Sequence, residues 1–191
     1  MFSLEGVTLR PMDITDLDRT YAWHCDLEIE IASGWGRRQS RTTFQRRFEQ
    51  FLESPPDDLR SFGIEAGGDL VGRVDLALID RGQLHAMLGL FIGERSQWGR
   101  GVGKKATRLM LDYGFTVENL ARIYAQIYDF NERSLRLMRS VGFTHEGVMR
   151  KHEVHNGARR DVHLFGVLKD ELYARYPTIF RLPESILAPK G

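Results

Sequence analysis

Three alternate glycines in the middle of the chain have the clearest chemical signature. Gly99, Gly101 and Gly103 lie between the apolar segment 86–92 and a segment whose apolar side chains recur with helical spacing. Glycine lets a backbone approach a ligand closely, and a helix start offers unpaired N–H groups beside its positive dipole end. The pattern predicts a site for a phosphate or diphosphate. Three basic residues add positive charge around it: Arg100, Lys104 and Lys105.

The same stretch also fits a glycine-rich helix entry whose basic side chains are simply solvated. It does not match the dinucleotide-binding fingerprint, because its preceding strand comes in mid-chain. It does not match the P-loop either, because no Gly-Lys-Ser/Thr triplet is present. The glycines alone therefore do not decide between a binding site and a structural turn.

Four blocks in order along the chain resemble motifs of the GNAT acetyltransferase superfamily. They are residues 98–106, residues 131–134 with 141–143, residues 146–150, and residues 156–157 with Asp161. They lie between about residues 60 and 170. The closest resemblance is to the branch of ribosomal-protein N-terminal serine and alanine acetyltransferases. Trp98 is a departure, since the superfamily pattern has Gln or Arg there.

This resemblance implies a single α/β domain, with a central mixed sheet flanked by helices, that uses acetyl-coenzyme A as its co-substrate. A primary amine would attack the thioester directly in a ternary complex. The implied cofactor contacts are Leu90, Phe91, Ile92, Trp98, Gly99, Arg100, Gly101, Val102, Gly103, Lys104, Asn131 and Ser134. Among them, backbone groups of Leu90 and Ile92 would pair with the pantetheine arm.

The resemblance also suggests two catalytic residues. Glu153 matches a glutamate that acts as the base in the branch, although a surface glutamate paired with Lys151 or Arg160 is an equally good interpretation. Ser134 would protonate the leaving thiolate, since Met138 replaces the tyrosine that serves many superfamily members. A serine in the first turn of a helix is, however, also common without any such role.

Three further residues are candidates for the acceptor side: Trp35, Glu94 and His152. The acceptor stays open among a protein N-terminus, an amino-sugar, a polyamine and an amino acid. No histidine or cysteine spacing indicates a metal site. A non-catalytic coenzyme A-binding module of the same fold is the main alternative, and a nucleotide-binding regulatory protein is a weaker one.

The elements that must position these residues follow from periodicity and turn residues. The predicted order is β-α-α-β-β-β-α-β-α-β-β, in which the glycine-rich helix joins two parallel strands and hairpins join the others. Strands are expected at residues 7–10, 61–66, 70–78, 86–92, 122–128, 143–154 and 159–168. Helices are expected after Asp13 and at residues 42–53, 99–117 and 131–140. We expect residues 1–172 to form the domain, and an irregular tail, 173–191, to pack on it or extend from it.

The bulk properties fit one soluble domain. The 191 residues carry a formal net charge of +1, which argues against a nucleic-acid partner. No long apolar run or signal peptide is evident, so we expect no membrane association and a cytoplasmic location. The single cysteine, Cys25, fits a reducing compartment. A homodimer is expected from the family resemblance alone.

Overall fold

The computed structural model describes residues 1–33 and 39–180 of the chain. Within them, eight strands form one sheet in the order β1-β2-β3-β4-β5-β6-β8-β7. The strands are β1 Phe2–Leu4, β2 Val7–Arg10, β3 Arg60–Ala66, β4 Asp69–Asp80, β5 His85–Ile92, β6 Arg122–Tyr128, β7 Thr144–His155 and β8 Ala158–Leu168. The helices are α1 Leu17–His24, α2 Leu27–Ser33, α3 Arg41–Glu53, α4 Val102–Thr116, α5 Glu132–Val141 and α6 Lys169–Arg175.

The sheet is antiparallel except between β5 and β6, which α4 connects as a crossover. These two strands pair only from His85–Arg122 to Met87–Tyr124. Beyond that point β5 stays paired with β4 as far as Ile92, and β6 stays paired with β8 as far as Tyr128. The parallel strands therefore diverge and leave a gap in the sheet.

The main core lies between the sheet and the helices α4, α5 and α6. Phe115 of α4 and Phe165 of β8 are fully buried in it. Burying a side chain of this size contributes about 1.5–3 kcal/mol. This packing fixes α4 and α5 beside the gap.

A smaller cluster covers the opposite face of the sheet. Trp23 of α1, Ile29 of α2 and Leu70 of β4 are its buried members, and Phe91 packs against it. A Cβ at Gly93 would lie 2.2 Å from the Trp23 ring, so only glycine fits at this point. The cluster holds α1 and α2 against the end of β5.

Asp112 of α4 forms hydrogen bonds with α6 and with the segment that follows it. Its buried carboxylate accepts hydrogen bonds from the Tyr173 hydroxyl at 2.8 Å, the Ile179 amide at 2.8 Å and the Phe180 amide at 2.6 Å. The expected irregular tail thus starts with helix α6, which crosses the proposed boundary at residue 172. As far as residue 180 this segment packs on the domain, and residues 181–191 lie outside the described part.

The structure confirms the predicted elements and adds β1, α2 and α6. Alternation along β4 predicts that Val74, Leu76 and Leu78 all face the core. Val74 and Leu76 are buried, but Leu78 is 55% exposed, so the prediction was wrong for Leu78. One extra residue lies between the pairs Ala77–Met87 and Asp80–His85, and Leu78 has φ +53°. This bulge shifts the alternation and buries Ile79 instead. None of the described helices is long and apolar enough to cross a bilayer.

Candidate active site

The start of α4 has no side-chain cap. Its N-cap residue is Gly101 with φ +79°, whereas Asn131 caps α5 and Ser40 caps α3 through side-chain oxygens. The first amide groups of a helix have no partner within the helix. At α4 they are therefore left for a ligand, and the positive end of the helix dipole favours an anion.

A cavity of about 560 Å³ opens in front of this helix start. A Cβ at Gly99 or Gly101 would meet nothing within 4 Å, so the space in front of both glycines is open. With one exception, the predicted cofactor-binding residues line this cavity: Leu90, Phe91, Ile92, Trp98, Gly99, Gly101, Val102, Gly103, Lys104, Asn131 and Ser134. The exception is Arg100, which is exposed beside it.

The positive charge around this cavity differs from the expectation. Lys104 lines the cavity as predicted. The Lys105 ammonium instead donates to the Glu5 carbonyl at 2.9 Å and lies 3.5 Å from the Glu5 carboxylate. Arg133 and Arg136 of α5, which the sequence analysis did not single out, also line the cavity. The cationic side of the site therefore comes from two helices.

Trp98 ties the end of β5 to the start of α5. Its indole N–H donates to the Ile92 carbonyl at 2.8 Å, and the Arg133 guanidinium lies 3.9 Å from the centre of its ring. A cation over an indole face is attractive. One backbone group of Ile92 that was expected to contact the cofactor therefore already has a partner.

A second cavity, of about 230 Å³, occupies the gap between β5 and β6. Both predicted catalytic residues, Ser134 and Glu153, line it. The two cavities have five lining residues in common: Leu90, Phe91, Asn131, Ser134 and Leu137. The space at the start of α4 thus adjoins the space that leads to Glu153.

Glu153 is half-buried and accepts a hydrogen bond from the Tyr128 hydroxyl at the end of β6. Burial, as the larger cause, and this hydrogen bond, as the smaller one, raise the pKa of Tyr128 to about 12. The hydroxyl is therefore protonated at neutral pH. Arg160 is the partner of Glu153 in the strand register. Among the described residues, however, neither Arg160 nor Lys151 forms an ion pair with Glu153.

A bulge in β7 directs Glu153 toward the cavity. Glu153 is four positions after Met149, whereas their partners on β8, Arg160 and Val162, are only two positions apart. Lys151 lies in the bulge with φ +51°, and its amide donates to the Asp161 carboxylate at 2.7 Å. Strict alternation predicts that Met149, Lys151 and Glu153 share a face of the sheet. Met149 and Glu153 do, but Lys151 lies outside the regular pairing.

Ser134 lies in the first turn of α5. Its amide donates to Asn131 Oδ1 at 3.1 Å, so the side chain of Asn131 acts as the helix cap. Both residues line both cavities. The cap thus fixes the serine at the junction of the two spaces.

The structure does not bring the predicted acceptor residues together. Glu94 lines neither cavity and instead caps the turn Arg95–Gln97, accepting from the Ser96 hydroxyl at 3.0 Å. His152 is exposed in the β7 bulge. Trp35 lies outside the described residues. Helix α2 supplies a wall instead, through Glu28, Ile29 and Ile31.

Sequence reasoning missed several lining residues. Strand alternation does place Tyr128 on one face with Tyr124 and Gln126, so its position could have been found. The family resemblance did place an acceptor wall in the segment that contains Glu28, but no pattern indicated Phe130. The residues that the structure describes contain no group of three or more His, Cys, Asp or Glu side chains that could hold a metal.

Comparisons with known proteins agree with this geometry. The Acetyltransferase (GNAT) domain family matches residues 7–144. An uncharacterized N-acetyltransferase of Bacillus licheniformis is 31% identical over 171 residues, which cover 87% of this chain and 95% of that protein. The spermidine N(1)-acetyltransferase of Escherichia coli is 28% identical over 188 residues, covering 93% and 94%.

The fold is also found among solved structures. The spermidine N-acetyltransferase of Vibrio cholerae, solved in complex with CoA and spermine, superposes with a TM-score of 0.80 at 23% identity. The match covers 88% of this chain and 99% of that one. The predicted fold class is confirmed. Because the family match spans most of the chain, from β2 to the start of β7, the protein belongs to the GNAT acetyltransferase family.

Proposed function

We propose that this acetyltransferase moves an acetyl group from acetyl-coenzyme A to a primary amine that enters the gap between β5 and β6. The observation that carries the proposal is the continuity of the site. An uncapped helix start opens on a cavity that shares its wall with the space lined by Ser134 and Glu153. A diphosphate at one end and a reacting amine at the other fit this arrangement.

The residues present suit the donor. The first amides of α4 would hold its diphosphate, with Lys104, Arg133 and Arg136 supplying positive charge. When bound, acetyl-coenzyme A supplies the thioester carbonyl that the amine attacks. The backbone N–H of Leu90 or Phe91 would stabilise the negative charge that develops on the carbonyl oxygen.

Glu153 would act as the general base and Ser134 as the proton donor to the thiolate. An alkylamine has a pKa near ~10 and is mostly charged at neutral pH, so a base must remove a proton before attack. The half-buried carboxylate of Glu153 faces the cavity that would receive this amine. Ser134 borders both cavities, where the acetyl donor and the amine would meet.

For the acceptor we propose a small cationic amine of the polyamine class. The spermidine acetyltransferases among the relatives support this class. A carboxylate in each cavity also supports it, because Glu28, which pairs with Arg95, lines the larger cavity and Glu153 lines the smaller one. The resemblance to the ribosomal-protein branch, with a protein N-terminus as acceptor, stays a prediction without support from these relatives.

A thiol-release assay with acetyl-coenzyme A tests the proposal. The acceptors are spermidine, spermine, aminoglycosides, amino acids, and peptides with a free N-terminal serine or alanine. We expect turnover with the polyamines at the lowest KM. Turnover restricted to the peptides would overturn the polyamine class but keep the enzyme. Tight coenzyme A binding without turnover of any amine would favour the non-catalytic module.

Two further predictions accompany the proposal. A cytoplasmic location is supported by Cys25, which is exposed and forms no disulfide.

A homodimer is expected from the family resemblance, and light scattering would measure it. One related structure is a dodecameric spermidine N-acetyltransferase of Vibrio cholerae, so a larger assembly is the alternative result.

A further inference from the structure

Tyr128 lies at the cavity between β5 and β6, where a tyrosine with only a structural role is not required. It is the last residue of β6, beyond the point where β5 has diverged, and it lines the cavity in the gap. From there its hydroxyl reaches past β8 to Glu153 on β7. The hydrogen bond therefore spans β8, which lies between β6 and β7 in the sheet.

The ring of Tyr128 is held by its neighbours. It stacks on Phe130 with centroids 5.3 Å apart and an angle of 10° between the planes. It also packs against the His155 ring, which is tilted by 34° with its centroid 4.8 Å away. A ring packed on two others has little freedom to turn. Its hydroxyl is thus presented to Glu153 from a fixed direction.

The chemistry of the pair fits a donor and an acceptor of fixed roles. The raised pKa of Tyr128 keeps its proton on the phenol, and an ionised carboxylate can only accept. Among the described residues, Tyr128 is the only hydrogen-bond donor to the Glu153 side chain. Hydrogen bonds to charged groups are shorter and stronger than neutral ones.

We propose that Tyr128 is a positioning residue for Glu153, whose carboxylate it keeps directed into the cavity between proton transfers. The inference rests on the proposed function, in which Glu153 is the base. The other titratable or charged groups facing this pair are His155, which packs against the Tyr128 ring, and Arg160, which is opposite Glu153 in the register. They are the competing sources of any pH dependence.

The test is Tyr128→Phe, assayed for kcat against pH with saturating acetyl-coenzyme A and spermidine. Loss of the hydrogen bond should lower kcat about tenfold. The acid limb of the rate profile should move toward higher pH, because a hydrogen bond donated to a carboxylate favours its charged form. The affinity for acetyl-coenzyme A, measured by calorimetry, should not change, since the ring remains.

Tyr173→Phe is the matched control, because it removes a phenol bound to a carboxylate far from the cavity. It should leave the acid limb in place. The double variant Tyr128→Phe/Glu153→Gln should be no slower than Glu153→Gln alone. An unmoved acid limb in Tyr128→Phe, with Glu153→Gln still slow, would overturn the positioning role only.

Two other outcomes identify different failures. A limb that moves in His155→Gln but not in Tyr128→Phe would assign the titration to the histidine and overturn the proposal. A full rate in Glu153→Gln would overturn both the proposed base and its positioning residue. Thermal melting of each variant would separate these effects from loss of folding.

Discussion

Two of the tyrosine–carboxylate pairs among the described residues differ in what surrounds the carboxylate. Tyr128 donates to Glu153 at the strand gap, and Tyr173 donates to Asp112 beneath the C-terminal segment. Mainly through burial, both tyrosines have a pKa raised to about 12. The two phenols are thus alike in chemistry and in protonation.

The carboxylates are not alike. Asp112 is 1% exposed and accepts from two backbone amides besides the phenol, which occupies both of its oxygens. Glu153 is half-buried, lines a cavity and, among the described residues, accepts only from Tyr128. A carboxylate with its acceptor positions filled holds structure together, whereas one with positions left can take a proton from a ligand.

The variant with the largest expected effect is Glu153→Gln, which keeps the shape of the side chain but removes its basic carboxylate. We expect kcat to fall by about 100-fold or more, the usual contribution of a general base. The affinity for acetyl-coenzyme A should stay unchanged, and the acid limb of the rate profile should disappear. Glu146→Gln on the same strand is the control, since its carboxylate faces Arg122 outside the cavity. Equal rates in the two variants would mean that another group is the base.

A second variant fills the cavity at the start of α4 and leaves both tyrosine–carboxylate pairs unchanged. Gly101→Val puts a branched side chain into the open space at the start of α4, where a diphosphate would lie. We expect the affinity for acetyl-coenzyme A, measured by calorimetry, to fall below detection.

A residue with a side chain at positive φ also costs about 1–2 kcal/mol of folding free energy. Gly67→Val, in the β3–β4 turn at φ +65°, carries the same strain away from the cleft. Unchanged cofactor affinity in Gly101→Val would exclude the diphosphate from this position.

Much of the candidate active site could be predicted from the sequence, because the features that form it depend on residues close together in the chain. The helix start at Gly101, the cap at Asn131 and the hairpin at Asn156–Gly157 all depend on residues a few positions apart. Glu153 was suggested by the family resemblance, and the strand pattern alone left a surface glutamate equally possible.

The rest depends on long-range contacts that no local pattern encodes. The hydrogen bond from Tyr128 crosses a strand that comes later in the chain, and the bonds to Asp112 span more than 60 residues. The bulge that exposes Leu78 also has no signal, because its apolar side chain fits the alternation that the bulge interrupts. Predicting a strand does not predict where its register shifts.

The core pair can be broken with Asp112→Ala. This change leaves three donors without their acceptor, so the free energy of unfolding should fall by about 3 kcal/mol or more. Tyr173→Phe removes one of these three hydrogen bonds and the hydrogen bond between the Tyr173 and Thr116 hydroxyls, and should lower it by only about 1–2 kcal/mol. Denaturant unfolding measures both. For folded protein kcat should match the unmodified enzyme, and a tenfold loss in Tyr173→Phe would contradict the structural role of this pair.

The smallest effect is the dependence of stability on alkaline pH. A phenol whose pKa rises on folding contributes stability that is complete below about pH 10, the pKa of an unfolded tyrosine. That contribution is lost as pH rises toward 12, the value for Tyr128 and Tyr173. The melting temperature should therefore fall between pH 10 and 12, and phenolate absorbance should rise over the same range. Because each tyrosine contributes separately, the fall should be shallower in Tyr173→Phe and shallower again once Tyr128 is also replaced. An identical slope in all three proteins would mean that other groups set the alkaline limit.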